Sequence, residues 1–266
     1  MFSIHTNLPS WLRWTLSLAL FVALVLLYQQ FSLDRHALNP GDKLAPNFSQ
    51  LADGFRRSAL EADANGDYRL LVDTAASGRR VLISMLFVFA GILAGVYMGL
   101  FPVLDKLLYS FVLFLDKIPA LALLPILFIF FGLGELSKIA LIVIGVLPTV
   151  ILDIYLRVKA FPREQLIKAM TLKASTAQII YKIVLPQIFP YALDTIRLNF
   201  KSVILFLIAG EALAATEGLG YRIFVVRRYL AMDVIIPYVV WIALLAFVVD
   251  ALLRLWIKRS FSWINK

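Results

Sequence analysis

Six apolar stretches, each close to the length that crosses a bilayer as a helix, constrain the fold of this chain more than any other feature. A spanning helix needs about 20 consecutive apolar residues. The stretches cover residues 12–31, 81–101, 107–131, 139–156, 188–215 and 234–257. No tandem repeat or low-complexity tract interrupts them, so they predict a single all-α membrane domain with about six transmembrane helices.

The composition places the chain in a membrane and excludes several kinds of chemistry. Of the 266 residues, 61% are hydrophobic and 16% are charged, whereas soluble domains are nearer half apolar and a quarter charged. The absence of cysteine excludes disulfides, thiolate metal sites and thiol nucleophiles. His5 and His36 lie outside the apolar stretches, which excludes a histidine relay or metal cage within the membrane. We therefore expect no catalytic, cofactor-binding or metal-binding residue.

The basic residues predict a lipid environment and an orientation. In a soluble protein a net charge of +9 would suggest nucleic acid, but here the bases flank apolar stretches, and anionic lipid headgroups account for them. The loop of residues 157–187 carries six bases against one acid, Glu164. Because basic loops remain cytoplasmic, this loop favours cytoplasmic termini, although segments on the other side carry nearly as many bases.

The apolar and polar segments divide the chain into four parts. Residues 1–31 form an N-terminal segment and the first spanning helix, since the run is too long for a removable signal and has no small-residue cleavage site after it. Residues 32–78 are polar, include Pro40, Gly41 and Pro46, and predict a loop or cap outside the cell. Residues 79–260 form the core domain, with the basic loop at 157–187, and residues 261–266 form a cytoplasmic tail.

The basic loop has the pattern of two short amphipathic helices. Pro162 suits the first turn of the first helix, and apolar residues recur at helical spacing opposite basic ones. Ser175 and Gln178 form a capping box for the second helix, and Pro186 marks its end. The apolar positions are Leu166, Ile167, Ala169 and Met170 in the first helix, then Ile179, Ile180, Ile183 and Val184 in the second. Such helices either lie on lipid or form a docking surface, and the pattern leaves both open.

The spacing of this loop resembles the cytoplasmic coupling loop of permease subunits of binding-protein-dependent ABC importers. The family pattern is Glu-Ala-Ala, three residues, Gly, nine residues, then Ile-x-Leu-Pro. The equivalent positions here are Ile167, Lys168, Ala169, Lys173, Ile183, Leu185 and Pro186. Ala169, Ile183, Leu185 and Pro186 agree with the pattern. The remaining positions depart from it, including Ile167 at the signature Glu and Lys173 at the turn Gly.

The departures at Ile167 and Lys173 have physical consequences. A glycine between two helices normally supplies a left-handed residue at no steric cost, so Lys173 must accept that strain or form a different turn. Glu164 lies one helical turn before Ile167, and we hypothesise that it presents a carboxylate from the same face. The resemblance implies that the loop contacts an ATPase.

Further blocks, in the same order along residues 75–263, resemble the nitrate, sulfonate, taurine and bicarbonate branch of these permeases. They are 119–125, 131–138, Glu211 with Gly218, Gly220 and Tyr221, and the closing Asp250, Arg254 and Trp263. The resemblance implies a type I ABC importer permease fold in a bacterial inner membrane, with both termini cytoplasmic. It also implies a second permease copy, cytoplasmic subunits that bind ATP and Mg, and a periplasmic or lipid-anchored solute-binding protein.

The third apolar stretch contains features expected of a transport path. Pro119 and Pro125 remove two backbone donors within one span, and the carbonyls this frees need protein or water partners in a bilayer. A break there suggests a path-lining helix, although a packing kink remains open, above all at Pro125. Asp116 and Lys117 lie about ten residues into the stretch, where an isolated charge costs about 2.5–3.5 kcal/mol. They should therefore face a cavity or a partner, or neutralise each other.

The fifth stretch and its exit contribute further path candidates. Arg197 and Lys201 lie one turn apart, and bases along a path would favour an anion or a zwitterion. An ion pair between Asp194 and Arg197 is the alternative explanation for part of this pattern. The candidates at the outer end are Glu211, Gly218, Gly220, Tyr221 and Arg222, where a tight turn would return Tyr221 and Arg222 to the mouth of the path.

Gly91, Gly95 and Gly99 recur every four residues along the second stretch. Such a groove of small residues lets two helices approach closely, and it predicts a packing seam rather than a binding site. Whether the seam meets a helix of this chain or of a second copy is left open.

The source of energy is absent from the chain. A nucleotide-hydrolysing protein needs a Gly-x-x-x-x-Gly-Lys-Ser/Thr loop, and residues 132–138 lack the second Gly beside the Lys. We therefore expect no covalent chemistry in this chain, and we expect ATP hydrolysis in a partner to drive import. A secondary transporter or channel is the competing class, but neither inverted repeats nor an intramembrane ion site is visible.

Overall fold

The computed structural model describes residues 9–39, 41–63 and 66–265, and within these ranges the chain is helical, with one isolated antiparallel bridge between Ala62 and Tyr68. His5 and Pro40 lie outside the described residues. The helices are α1 (Ser10–Leu38), α2 (Phe48–Ala59), α3 (Arg69–Leu100), α4 (Pro102–Asp116), α5 (Leu124–Phe131), α6 (Glu135–Lys159), α7 (Arg163–Thr171), α8 (Thr176–Gln178), α9 (Leu185–Ala214), α10 (Leu219–Arg227) and α11 (Met232–Ser260). Short 3₁₀ turns cover Ala120–Leu123 and Ser262–Asn265, and a π-helical turn covers Ile179–Val184.

Among the described residues, four helices are long and apolar enough to cross a membrane: the Leu18–Leu38 part of α1, then α3, α6 and α11. Two bent pairs raise the number to six if each pair is one span. One joins α4 to Ala120–Phe131 with a bend of 83°, and the other joins Thr176–Ala214 to α10 with a bend of 53°. The fold class and the positions of the six stretches therefore agree with the sequence-based expectation.

The break that the prolines predict in the third stretch is present at Pro119, where α4 ends at Asp116 and a 3₁₀ turn follows the proline. Proline disfavours a helical conformation in the residue before it, which explains the break. Pro125 does not break a helix, since it lies in the first turn of α5, where no backbone N–H is needed. The polar segment 32–78 also contains the end of α1, all of α2 and the start of α3.

The core consists of α3, α6 and α9 packed along their lengths. Buried aliphatic residues from all three helices form one cluster, which includes Val88, Val96, Val146, Ile154 and Ala192. The glycine seam of α3 faces α6 of the same chain. A Cβ atom on Gly95 would lie 2.8 Å from both the Ile151 carbonyl oxygen and the Ile154 Cβ. The absence of side chains at Gly91, Gly95 and Gly99 therefore sets the close approach of the two helices.

α1 and α2 attach to this core at one end only. The Leu18–Leu38 part of α1 is 6% buried within the chain, and hydrogen bonds from Tyr28 Oη to the Pro46 carbonyl (2.7 Å) and from Ser32 Oγ to the Ala45 carbonyl (2.7 Å) hold its end. In the same connection, the Leu44 N–H and the Arg35 guanidinium lower the pKa of the Asp42 carboxyl below its ordinary value. α2 crosses the start of α11.

The contact between α2 and α11 is close enough to fix α2 in place. A Cβ on Gly54 would lie 2.0 Å from the Asp233 carbonyl oxygen, so only glycine fits there. Arg57 Nη2 lies 2.5 Å from Asp233 Oδ2, and the rings of Phe55 and Trp241 are 6.5 Å apart. The polar segment before α3 is therefore packed on the end of the bundle.

A buried charge cluster joins the ends of α3, α6, α9, α10 and α11 on the same side as α2. Arg80 is almost fully buried and donates to Glu135 Oε2 (2.7 Å) and Oε1 (2.8 Å), to Glu211 Oε1 (2.6 Å) and to the Glu217 carbonyl (2.9 Å). Lys138 Nζ pairs with Glu135 Oε1 at 2.9 Å. Three carboxylates face three bases: Asp73, Glu135 and Glu211 against Arg80, Lys138 and Arg222.

The same cluster fixes the turn between α9 and α10. Asp73 accepts hydrogen bonds from the Gly218 N–H (2.9 Å), Arg222 Nε (2.8 Å) and Tyr238 Oη (3.0 Å). Glu211 accepts from the Gly220 N–H at 2.8 Å. Gly218 has φ +130°, and a Cβ there would lie 2.6 Å from Glu211 Cδ, so the turn requires glycine for conformation and for space.

We expect Gly95→Ala to destabilise the bundle by about 1–3 kcal/mol, because the added methyl meets backbone and a β-branched side chain on α6. Gly78→Ala is the matched control on α3, since nothing lies within 4 Å of its Cβ; we expect a change within about 1 kcal/mol. Denaturant unfolding in detergent micelles measures both. Equal losses in the two variants would contradict the seam.

We expect Arg80→Gln to cost about 3–5 kcal/mol, because it leaves the carboxylate of Glu211 buried without its cation. Arg79→Gln is the control: its side chain is 60% exposed and lies 3.5 Å from Glu135, so its loss should cost about 0–1 kcal/mol. The same unfolding measurement compares them. A wild-type midpoint in Arg80→Gln would show that the cluster adds no stability.

Candidate functional site

The basic loop forms a surface helix, a turn and a return helix. Pro162 precedes α7 as its N-cap residue, and Leu166 and Ala169 face the core. The other two residues of the apolar stripe, Ile167 and Met170, are 60% and 58% exposed. The stripe therefore has an exposed part, as both a lipid contact and a docking surface require.

The turn after α7 has the left-handed conformation that the family pattern gives to glycine. Lys173 has φ +57°, so it accepts the strain instead of forming a different turn. The Ala174 N–H donates to the Ala169 carbonyl at 3.0 Å and the Lys173 N–H to the Met170 carbonyl at 2.9 Å. These bonds satisfy carbonyls at the end of α7, as a helix-terminating turn requires.

The return helix begins as the sequence predicts but does not end where it predicts. Ser175 and Gln178 form both hydrogen bonds of the capping box. Pro186 does not stop the helix: α8, the π-helical turn and α9 run continuously from Thr176 to Ala214. The wider π turn precedes Pro186, and such a turn accommodates a residue that cannot donate to the usual carbonyl.

The surface of this segment combines apolar and basic side chains. Ile167, Met170 and Leu172 are exposed, the last by 82%. Glu164 is exposed on the same side of α7 as Ile167 and forms no ion pair within the described part of the chain. We call this region the coupling surface; it comprises Arg163, Glu164, Ile167, Lys168, Met170, Leu172 and Lys173.

The coupling surface is fixed to the core behind it. Gln187 Nε2 donates to Gln165 Oε1 at 3.0 Å, which joins α9 to α7. The hydroxyls of Tyr97 and Tyr181 are 2.8 Å apart and join the end of α3 to the π turn. Ile183 and Leu185 pack against the core cluster with Leu166. The coupling surface and the core helices are therefore joined by both polar and apolar contacts.

The path candidates of the third stretch lie at the bend between α4 and α5. Thr149 Oγ1 donates to Asp116 Oδ1 at 2.6 Å, and Lys117 Nζ lies 3.0 Å from Asp116 Oδ2. The two charges therefore neutralise each other, one of the outcomes expected from the sequence. Pro119 lies beside them, whereas Pro125 follows the 3₁₀ turn and starts α5.

The candidates of the fifth stretch separate into two groups. Arg197 is paired with Asp194 at 2.8 Å and Asp250 at 2.7 Å, while Lys201 is exposed on the same face of α9. Glu211 is fully buried in the charge cluster and reaches no open path in this conformation. Gly218, Gly220 and Arg222 belong to the same cluster, and Tyr221 lies beneath the guanidinium of Arg222 at 5.7 Å.

Sequence reasoning missed Asp73, Arg80 and Glu135, which hold the cluster together. The sequence of α3 contains a pattern that could have revealed them. Polar residues recur there every three or four positions and form one buried stripe, which comprises Asp73, Ser77, Arg80 and Ser84. A polar stripe at the end of an apolar run indicates a buried network when another helix carries opposite charges.

Comparison with known proteins identifies the family. Residues 88–262 match the model of the binding-protein-dependent transport system inner membrane component. The taurine transport system permease protein TauC of Escherichia coli is 33% identical over 198 residues, which cover 74% of this chain and 72% of TauC. An aliphatic sulfonates transport permease, SsuC of Bacillus subtilis, is 27% identical over 211 residues, covering 79% of this chain and 75% of SsuC.

A solved structure supports the fold. A chain of the MetNI methionine ABC transporter, in inward-facing conformations, superposes with a TM-score of 0.62 at 19% identity, covering 74% of this chain and 98% of the other. The region that matches the family model, residues 88–262, starts within α3 and ends after α11. It contains the core, the coupling surface and part of the charge cluster, while α1 and α2 lie before it. The chain belongs to the binding-protein-dependent transport system inner membrane component family and is the multi-pass inner-membrane permease of an ABC importer.

Proposed function

We propose that a cytoplasmic ATP-binding subunit docks on the coupling surface. The observation that carries this proposal is the exposure of Ile167, Met170 and Leu172 among the basic residues of a helix that is fixed to the core. An exposed apolar patch with a polar rim marks a protein contact. The alternative, a helix lying on lipid, would bury the same residues in the membrane, and the docking test separates the two.

We propose further that two copies of this chain form the transport path, with both termini in the cytoplasm. ATP and Mg are then bound by the partner subunits, and a periplasmic or lipid-anchored solute-binding protein delivers solute to the opposite end. That end carries α2, the charge cluster and the turn before α11. This makes residues 32–78 an external cap, 79–260 the core permease domain and 261–266 a cytoplasmic tail.

The solute is proposed to be a small anion or zwitterion, such as nitrate, a sulfonate, taurine or bicarbonate. The names of TauC and SsuC support the sulfonate and taurine members of this class. A secondary transporter or channel would work without an ATPase, and it is the alternative. Copurification of the chain with an ATP-binding subunit separates the two.

We expect Ile167→Asp to reduce association with the ATP-binding subunit by at least about tenfold, because it places a charge in the centre of the apolar patch. Leu60→Asp is the matched control, since Leu60 is 68% exposed at the end of α2, far from the coupling surface. Copurification from membranes, with the yield of the folded chain measured in parallel, compares the two. Undiminished association in Ile167→Asp would contradict the docking proposal.

Glu164 provides a second test of the same surface. If its carboxylate replaces the signature Glu, Glu164→Ala weakens the ATPase contact and Glu164→Asp retains part of it. The neighbouring Gln165→Ala removes a contact to α9 without removing a charge, and it separates packing from charge. Unchanged assembly in Glu164→Ala would reject the role of the carboxylate.

We expect Lys173→Gly to preserve the turn and Lys173→Val to destabilise it by about 1–2 kcal/mol, because a β-branched residue tolerates a positive φ poorly. Thermal unfolding of the chain alone measures the stability of the turn. Thermal unfolding with the ATP-binding subunit present measures the additional stability that the contact provides. Equal stability of the glycine and valine variants would mean that the left-handed turn is not maintained in the assembly.

A further inference from the structure

Lys201 lies near the middle of a spanning helix and has an exposed side chain. At 1.5 Å per residue it lies about 24 Å from Leu185 and about 20 Å from Ala214, the two ends of α9. Glu211, in the charge cluster at one end of the bundle, and Tyr191, beside Arg157 near the other end of α6, each lie about 15 Å along the helix from Lys201. Lys201 therefore lies near the middle of a hydrocarbon core about 30 Å thick. No carboxylate lies within ion-pair distance of it in the described part of the chain.

The other charges beside Lys201 compensate one another. Arg197 is held by Asp194 and Asp250, and Arg254 by Asp250, so two carboxylates face two guanidinium groups. Lys201 adds one positive charge that this group does not neutralise. An unpaired charge at this depth is costly unless it faces a water-filled cavity or a partner.

Lys201 lines an open cleft of about 530 Å³ between α9 and α11, which has room for a small solute. Arg197, Asp250 and Arg254 lie at one end of the cleft, and the rest is apolar, with Phe200, Ile204, Ile242, Ala246 and Phe247 among the lining residues. A single free cation within apolar walls fits a small oxyanion attached to a short apolar group.

We propose that Lys201 binds the oxyanion of the transported solute and selects anions over neutral solutes. The inference rests on the proposed function and adds the residue that recognises the charge of the solute. The three N–H donors of the ammonium group match the oxygens of a sulfonate. A neutral analogue would leave the ammonium unpaired, and the site would reject it.

The cleft distinguishes an anion from a zwitterion. The only carboxylate that lines the described cleft belongs to Asp250, and Arg197 and Arg254 already share it. The ammonium group of a zwitterion therefore finds no free acceptor there. We accordingly expect ethanesulfonate to bind more tightly than taurine, which differs from it by one amino group.

A membrane lipid is the other source of an oxyanion with an apolar chain. Lipid phosphates lie at the bilayer surface, and the depth of Lys201 places it away from them. The test nevertheless includes lipid composition, so that a lipid occupant is recognised.

The test uses the full chain in nanodiscs of phosphatidylcholine, with the rate of Lys201 modification by an amine-reactive imidate measured by mass spectrometry. We expect ethanesulfonate to slow the modification several-fold, taurine to slow it less, and neutral ethanesulfonamide to have no effect. Lys168, exposed on the coupling surface, is the internal control and should react equally in all samples. No protection by ethanesulfonate, or equal protection of Lys168, overturns the proposal.

Two further arms separate the remaining explanations. Protection of Lys201 by phosphatidylglycerol nanodiscs without any sulfonate assigns the cleft to lipid and overturns the solute assignment. In liposomes with the complete importer, Lys201→Gln should lower ethanesulfonate uptake by at least about tenfold. Lys201→Arg should retain most of it. Leu205→Gln, exposed about one turn after Lys201 and outside the cleft, is the control, and unchanged uptake in Lys201→Gln also overturns the proposal.

The proposed function and this inference fail in different ways. If the chain does not associate with an ATP-binding subunit, the proposed function is lost, while protection of Lys201 by ethanesulfonate still reports an anion site. If association is intact and no anion protects Lys201, only the inference is lost.

Discussion

The buried guanidinium of Arg80 is the contact on which the end of the bundle opposite the coupling surface depends. It bridges carboxylates from α6 and α9 and a backbone carbonyl before α10, although Arg80 itself belongs to α3. Removing one partner of such a buried pair leaves the other charged and unsolvated, which makes the arrangement cooperative. Asp73 extends the network to α10 and α11, so five helices share one polar junction.

In the opposite half of the bundle, close packing of helices is accompanied by ion pairs such as the one between Lys159 and Asp105. Gly91, Gly95 and Gly99 bring α3 against α6, and aliphatic side chains of α9 complete the same core cluster. The coupling surface projects from this packed region and is joined to it through Gln165 and Tyr181. The chain therefore combines a closely packed half, on which an ATP-binding subunit is proposed to dock, with a polar junction at the opposite end.

The sequence predicted the elements that depend on local chemistry. Apolar length identified the spans, the Ser175 capping box located the start of the return helix, and the glycine spacing indicated a packed seam. It failed where a distant contact decides the outcome. Glu211 looked like a path residue because its partner, Arg80, is more than a hundred residues away in the sequence. The continuation through Pro186 was missed because a π turn compensates for the absent donor.

The uninterrupted run from Thr176 to Ala214 makes a surface segment and a membrane span into a single lever about 58 Å long. A tilt of the whole run by about 5° about its surface end would displace the other end by about 5 Å. That end of the helix carries Glu211, whose carboxylate accepts a hydrogen bond from the Gly220 N–H in α10. A force applied at the coupling surface would therefore reach the polar junction through one helix, with no relay through intervening loops.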